Sequence, residues 1–254
     1  VLALIDIGNT TISIGLSLDE VTLYRVVRLN TEKNKSTDEY AITLDGFVKQ
    51  VDAVVISSVV PELNDVFREY FQTRFQITPL FLGVGVKTGI KINSDNPREV
   101  GADLITNAVA ATSFYGKSAL VIDLGTATTF TYIDQLTIKG VIITAGLTTS
   151  KNALISKTSL LPQIELESPQ KLLGTNTADC IKSGLIFGHA SMIDGMIRRI
   201  KRSLSRGDLP VILTGGHAKL ISPHLEESVL VDETLILKGL FVVYDRNRVK
   251  TDKS

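Results

Sequence analysis

The chain has 254 residues, 44% of them hydrophobic and 21% charged, and its 27 basic side chains balance 27 acidic ones. That neutral balance gives no electrostatic footprint for nucleic acid, and no apolar run approaches the ~20 residues that a membrane helix needs. Cys180 is the only cysteine, which excludes an internal disulfide and a cysteine zinc site; a reducing compartment fits, so a cytoplasmic protein is expected.

In chain order, LALIDIGNTTISIGLSL (2–18) is an apolar run that reaches Asp6, turns through Gly8, Asn9 and Thr10, and becomes apolar again. Residues 2–5 and 11–16 read as a hairpin. The opening VLALI has no basic leader and no small-residue cleavage site, so it is read as strand rather than signal peptide. NTEKNKSTDEY (30–40) is a loop leading to a helix that starts near Ser36 or Thr37. DAVVISSVVP (52–61) is a buried strand ended by Pro61, and ELNDVFREYFQTRF continues it as a helix. NPREVGADLITNAVAATSF (96–114) enters an apolar-faced helix, and ALVIDLGTATTFTYID begins another strand-turn-strand. A domain boundary near Gly116 divides the chain into 1–116 and 117–254. The basic cluster RRIKRSLSR (198–206) reads as a solvated helix end.

The two strand-turn-strand segments align with each other. Leu4-Ile5-Asp6-Ile7-Gly8-Asn9-Thr10-Thr11 matches Val121-Ile122-Asp123-Leu124-Gly125-Thr126-Ala127-Thr128, so the chain reads as internally duplicated. Glycine lets a backbone approach an anion, turn N–H groups and the Thr10 or Thr126 hydroxyl can donate to phosphate, and each Asp can hold a hydrated cation. An Asp that merely satisfies turn amides is the plainer reading of one copy; two copies favour phosphate. VILTGGHAKLIS (211–222) adds a strand ending in Gly215-Gly216, where a base or ribose could lie flat. No GxxxxGK[ST] occurs and no GxGxxG follows a strand, so P-loop and Rossmann readings have no support. His189, His217 and His224 are scattered, offer neither a zinc site nor a Ser-His-Asp triad, and are read as surface or packing residues.

DIGNT, NPREVGAD, DLGTATTF, GTNT and TGG occur in the order found in type III pantothenate kinases, which the chain resembles over essentially its whole length, including SSVVP (57–61), SGLIFG (183–188) and LKGL (237–240). The resemblance implies an α/β fold of duplicated ribonuclease-H-like domains flanking an ATP cleft, as in the acetate and sugar kinase, Hsp70 and actin superfamily, here as a homodimer. It implies ATP-dependent phosphorylation of pantothenate, the first step of coenzyme A biosynthesis, with Mg²⁺ and a monovalent cation, K⁺ or NH₄⁺. Carried over by motif, Asp6, Ile7, Gly8, Asn9, Thr10, Thr11, Ile12 and Ser13 would hold ATP, with Asp6 near Mg²⁺, Thr126 as a further ATP contact and Asp123 at the K⁺ site. Asp103 would be the catalytic base, and Gly101, Ala102, Leu104, Ser94 and Thr177 would line the acceptor. Residue chemistry by itself reads Asp103 as a first-turn helix acid and Thr177 as a helix N-cap; only the motif assigns them to catalysis and binding.

The departures fall mainly on the acceptor side. Leu104 stands where the family generally has an arginine (GADR), Ser94 where a tyrosine is usual and Thr131 where an aspartate is common, and TAG (144–146) replaces a PG-type turn. Leucine cannot replace the bidentate grip of a guanidinium on a carboxylate. A kinase for a different small alcohol and a non-catalytic nucleotide-binding regulator are therefore the alternatives, although retention of Asp6, Asp103 and Asp123 argues against the second.

Overall fold

A computed structural model of the chain describes residues 1–18, 22–158 and 161–248. It divides into two compact units, one running from Val1 to Phe114 and completed by the segment from Thr234, the other spanning Tyr115–Glu233.

In the first unit, β1 (Leu2–Ile7), β2 (Thr11–Ser17), β3 (Leu23–Asn30), β4 (Ala53–Ser58) and β5 (Leu80–Phe81) form a sheet in the order β3-β2-β1-β4-β5. β1 is antiparallel to β2 and parallel to β4. A further two-residue strand, β6, covers Lys91–Ile92. Alternation along the strands sorts the side chains. Ile5, Ile7, Ile12, Ile14 and Ile56 pack with Tyr40, Leu44, Leu63, Phe67 and Phe71 of α1 (Thr37–Leu44) and α2 (Pro61–Phe75). Leu4 and Val55 face the other way, toward α3 (Ala102–Phe114) and α7 (Leu235–Asn247).

Local chemistry sets the helix starts. Ser36 caps α1 by accepting from the Glu39 N–H while the Glu39 carboxylate accepts from the Ser36 N–H at 2.9 Å, a capping box. β4 stops at Ser58, before the expected end at Pro61, which is instead the first residue of α2, where its missing N–H costs nothing.

α7 shows where the expected boundary departs from the structure. The expected second domain, 117–254, includes α7, yet α7 buries Leu237, Leu240 and Val243 against Leu4, Val55 and Val109 of the first unit. The spacing of those three residues announces an apolar face; it does not say which sheet receives it. Gly239 permits the contact, since a Cβ there would lie 2.8 Å from Thr106 Cγ2, 2.9 Å from the Thr106 carbonyl carbon and closer still to its oxygen. Alanine normally gains about 1 kcal/mol over glycine inside a helix. Here the obstacle is backbone that cannot rotate aside, and overpacking of that kind costs about 1–3 kcal/mol or more. Gly239→Ala is therefore expected to lower Tm by roughly 3–8 °C. A thermal melt in which it equals or exceeds the parent would contradict this packing.

The second unit repeats the scheme. β7 (Ala119–Leu124), β8 (Ala127–Asp134), β9 (Thr137–Ala145), β10 (Val211–Thr214) and β11 (Leu230–Val231) lie in the order β9-β8-β7-β10-β11. Again the first strand has an antiparallel neighbour on one side and a parallel one on the other. The duplication legible around Asp6 and Asp123 is thus a duplication of sheets. α4 (Leu147–Ser156), α5 (Thr177–Ser203) and α6 (Ala218–Ile221) surround this sheet, with Ile186, Ala190, Ile193 and Ile197 of α5 packed against Leu120, Ile122 and Leu213. Arg198 and Lys201 near the end of α5 pair with Glu227 at 3.7 Å. Such partly exposed pairs contribute only ~0–1 kcal/mol, as suits a solvated helix end.

Candidate active site

In the first unit the site begins where β1 runs out. The β1–β2 turn closes with the Gly8 N–H donating to the Thr11 carbonyl at 3.0 Å, and the Thr31 hydroxyl donates to the Gly8 carbonyl at 2.6 Å. A Cβ on Gly8 would sit 2.9 Å from the Thr11 oxygen and 4.0 Å from an Asp6 carboxylate oxygen, so only glycine fits this tight turn beside the acid. Asn9 and Thr10 are exposed, whereas Ile7 and Ile12 are wholly buried and can offer a ligand only their backbone.

Asp103 stands near the carboxyl ends of β1 and β4 through a short relay of contacts. The Val59 N–H, just past β4, donates to the Ile7 carbonyl at 3.0 Å. A Cβ on Gly101 would lie 3.8 Å from Val59 Cγ1 and 3.5 Å from Asp103 Cγ, so the carboxyl folds over Gly101. Asp103 lies in the first turn of α3 and its Oδ1 accepts from the Leu104 N–H at 2.8 Å. Burial pushes its pKa above the ordinary carboxylate value, and the Leu104 and Asp103 backbone N–H groups pull only part of the way back. Leu104 is turned into the protein, 9% exposed. Ser94 is exposed, and its hydroxyl accepts from the Asn96 N–H at 3.3 Å.

The second unit grips its own copy of the turn from three sides. Asp123 on β7 is in register with Thr129 on β8 and Thr214 on β10. The Thr126 carbonyl accepts from the Gly146 N–H at 3.1 Å and from the Thr149 hydroxyl at 2.6 Å, both at the start of α4. Gly215 of the paired glycines packs on Asp123 and Leu124, and the next turn ties back through the His217 N–H donating to the Leu124 carbonyl at 3.3 Å. Thr177 is the first residue of α5 rather than its cap; Asn176 caps the helix by accepting from the Asp179 N–H at 3.0 Å.

The residues present fit hard cations without forming a cage. Among the described residues no group of three or more His, Cys, Asp and Glu side chains converges. Each turn instead offers one carboxylate beside hydroxyls and backbone oxygens, the donor set of Mg²⁺ or K⁺ shared with phosphate and water. Beside Asp6 the buried Ser57 hydroxyl, and beside Asp123 the Thr129 hydroxyl, have no hydrogen-bond partner among the described residues. Both orphans mark places where a bound group would complete the polar network.

Two histidines read as surface or packing residues line this second turn. His189, 8% exposed, shares a 2.9 Å hydrogen bond with Thr128, and His217 shares one of 2.9 Å with Thr148. Burial, chiefly, lowers both pKa values, with the neighbouring His217 charge adding for His189 and Lys151 for His217, so both imidazoles are neutral near pH 7. Position 217 directly after Gly215-Gly216 was the available signal; position 189, inside an unbroken helix, gave none.

The sequence profile described as type III pantothenate kinase matches residues 2–199. A type III pantothenate kinase of Halalkalibacterium halodurans is 41% identical over 251 residues, covering 96% of this chain and 98% of its own. One from Acholeplasma laidlawii is 41% identical over 246 residues with the same coverage. Among solved structures, a protein described as a Baf family transcriptional activator from Campylobacter jejuni superposes with a TM-score of 0.57 at 18% identity, covering 96% of this chain and 98% of its own. The ADPNP-bound activator of 2-hydroxyisocaproyl-CoA dehydratase from Clostridium difficile gives 0.53 at 11%, covering 94% and 91%. At such identities these two show the fold alone, that of the actin-like ATPases and sugar kinases.

Proposed function

The chain belongs to the type III pantothenate kinase family, and from that membership we propose how its own residues perform the family's reaction, phosphorylation of pantothenate by ATP at the start of coenzyme A biosynthesis. The observation that carries the reading is the placement of Asp103. A half-buried carboxyl with a raised pKa lies at the same end of the sheet as the Asp6 turn, linked to it through Gly101, Val59 and Ile7.

The backbone of residues 6–13 holds the ATP phosphates, with the exposed Asn9 and Thr10 side chains adding donors and the buried Ile7 and Ile12 adding none. Thr126 is a second ATP contact. Asp6 is the seat for Mg²⁺ and Asp123 for K⁺ or NH₄⁺; these ions, when bound, supply charge neutralisation on the polyphosphate. Asp103, ionised, takes the proton of the acceptor hydroxyl as that oxygen forms its bond to the γ-phosphorus. The bond from the γ-phosphorus to the bridging oxygen breaks, and ADP leaves with the electron pair. Gly101 and Ala102 support the base, and Thr177 and Ser94 contact the acceptor. The enzyme works as a homodimer in the cytoplasm; among the described residues no helix is long and apolar enough to cross a membrane.

Leu104 makes the acceptor's charge less important than a GADR sequence would. A charge-assisted hydrogen bond contributes ~1.5–3 kcal/mol, roughly ten- to a hundred-fold in affinity. Without it, KM for pantothenate and for a neutral carboxamide analogue should differ by less than about threefold. Steady-state kinetics with both acceptors tests this: strong preference for the carboxylate would mean that another cation replaces the arginine, and saturation only by the neutral analogue would favour a different alcohol as the substrate.

A further inference from the structure

Two elements of the second unit hold the turn assigned to ATP, and one side chain ties them together. The start of α4 holds the turn through Gly146 and Thr149, which both donate to the Thr126 carbonyl. The segment after β10 holds it through Gly215, whose would-be Cβ lies 2.6 Å from the Leu124 nitrogen, and through the His217 N–H on the Leu124 carbonyl. The His217 ring then reaches back to α4, where Nε2 and the Thr148 hydroxyl share a hydrogen bond of 2.9 Å. These contacts close a ring: turn 124–126, the start of α4, Thr148, His217, and the turn again.

We infer that His217 is a positioning residue for the nucleotide, acting through Thr148 and the 124–126 turn to hold Thr126 and the Gly215-Gly216 backbone in one fixed arrangement. This rests on the reading that the second turn contacts ATP. Preorganisation is the physical reason: α4 and the post-β10 segment each fix one side of the turn, and without a tie between them they can part, so nucleotide binding must supply the ordering itself. Packing alone would not explain why a polar ring and a threonine meet here, half-buried, with Thr148 directly beside Thr149, which donates to the Thr126 carbonyl. A leucine would fill the same space without fixing a direction.

The test is nucleotide affinity, measured by titration calorimetry with a non-hydrolysable ATP analogue and Mg²⁺ on the full chain. His217→Ala and Thr148→Val should each weaken binding roughly three- to tenfold, the range of one neutral hydrogen bond. The double variant should be no weaker than either single one, because both remove the same tie. His217→Gln, whose amide reaches where Nε2 stands, should restore the parent affinity, while KM for the acceptor and Tm stay close to the parent in all of them. Parental affinity in His217→Ala, losses that multiply in the double variant, or no rescue by glutamine would overturn the inference. Should His217→Ala fail to fold, Thr148→Val and His217→Gln decide alone. Asp6→Asn and Thr126→Ala separate the two levels: if both keep parental nucleotide affinity the reading of the turns falls and this inference with it, whereas if they lose affinity and His217→Ala does not, only the tie is wrong.

Discussion

Asp103→Asn is expected to lower kcat by about 10²–10⁴-fold while leaving the affinity for ATP within about twofold. The amide keeps the shape of the carboxyl and can still accept from the Leu104 N–H, so the loss falls on proton removal and not on the fold. The raised pKa adds two further signs. The base works only when ionised, so parental kcat/KM for the acceptor should fall as pH drops through the raised value. For stability the sign is opposite to that of a salt-bridged acid. The folded chain holds the Asp103 proton more tightly than the unfolded chain does, so this contribution is fully present below the ordinary carboxylate pKa and is lost as pH rises through the folded one. Asp103→Asn should therefore melt higher than the parent at neutral pH, with the gap closing in acid. A variant that lost activity and stability together, or ATP affinity with both, would show that Asp103 is only the helix acid its position first suggests.

Gly215→Ala should be the most damaging small substitution in the second unit. Gly215 has φ of 93°, a region in which side-chain-bearing residues are strained, and its Cβ would lie 2.6 Å from the Leu124 nitrogen and 2.7 Å from the Leu124 carbonyl carbon, with Asp123 Oδ1 nearer still. Backbone strain of about 1–3 kcal/mol and overpacking of about 1–3 kcal/mol act at one place. A Tm lower by roughly 5–15 °C and loss of the response to K⁺ are expected. Gly216→Ala is the control, because a Cβ there meets no atom within 4 Å and its φ is not in the positive region. It should melt like the parent, and weaker nucleotide binding in it would fit the proposal that a base or ribose lies against the paired glycines. Equal melting curves for the two variants would mean that Gly215 does not pack on Asp123 as described.

Much of this was legible before the structure. The paired LIDIGNTT and VIDLGTAT segments announced two related sheets because an apolar strand must end somewhere, and each ends in the same acid and the same small turn residues. The repeat of strand order and sense in the two units is the consequence of that duplication. Ser36, three residues before Glu39, marked the start of α1 for a purely local reason. What could not be read was any contact between segments distant in sequence. α7 carries an apolar face at helical spacing, yet its place in the first unit depends on Gly239 meeting Thr106, a partner more than a hundred residues away. The reading of His217 and His189 as surface or packing residues misses their contacts for the same reason: a histidine's use is set by the hydroxyl it meets, and Thr148 and Thr128 lie on other elements. Leu104 was legible as a departure from GADR, but its burial was not.

The most direct test of the central claim is mass spectrometry of the product made from pantothenate, ATP, Mg²⁺ and K⁺ by the purified chain, with Asp103→Asn run beside it. The account predicts 4′-phosphopantothenate from the parent and almost none from the variant, although both bind nucleotide. Nucleotide binding without phosphopantothenate from the parent, or equal product from the two proteins, would contradict it.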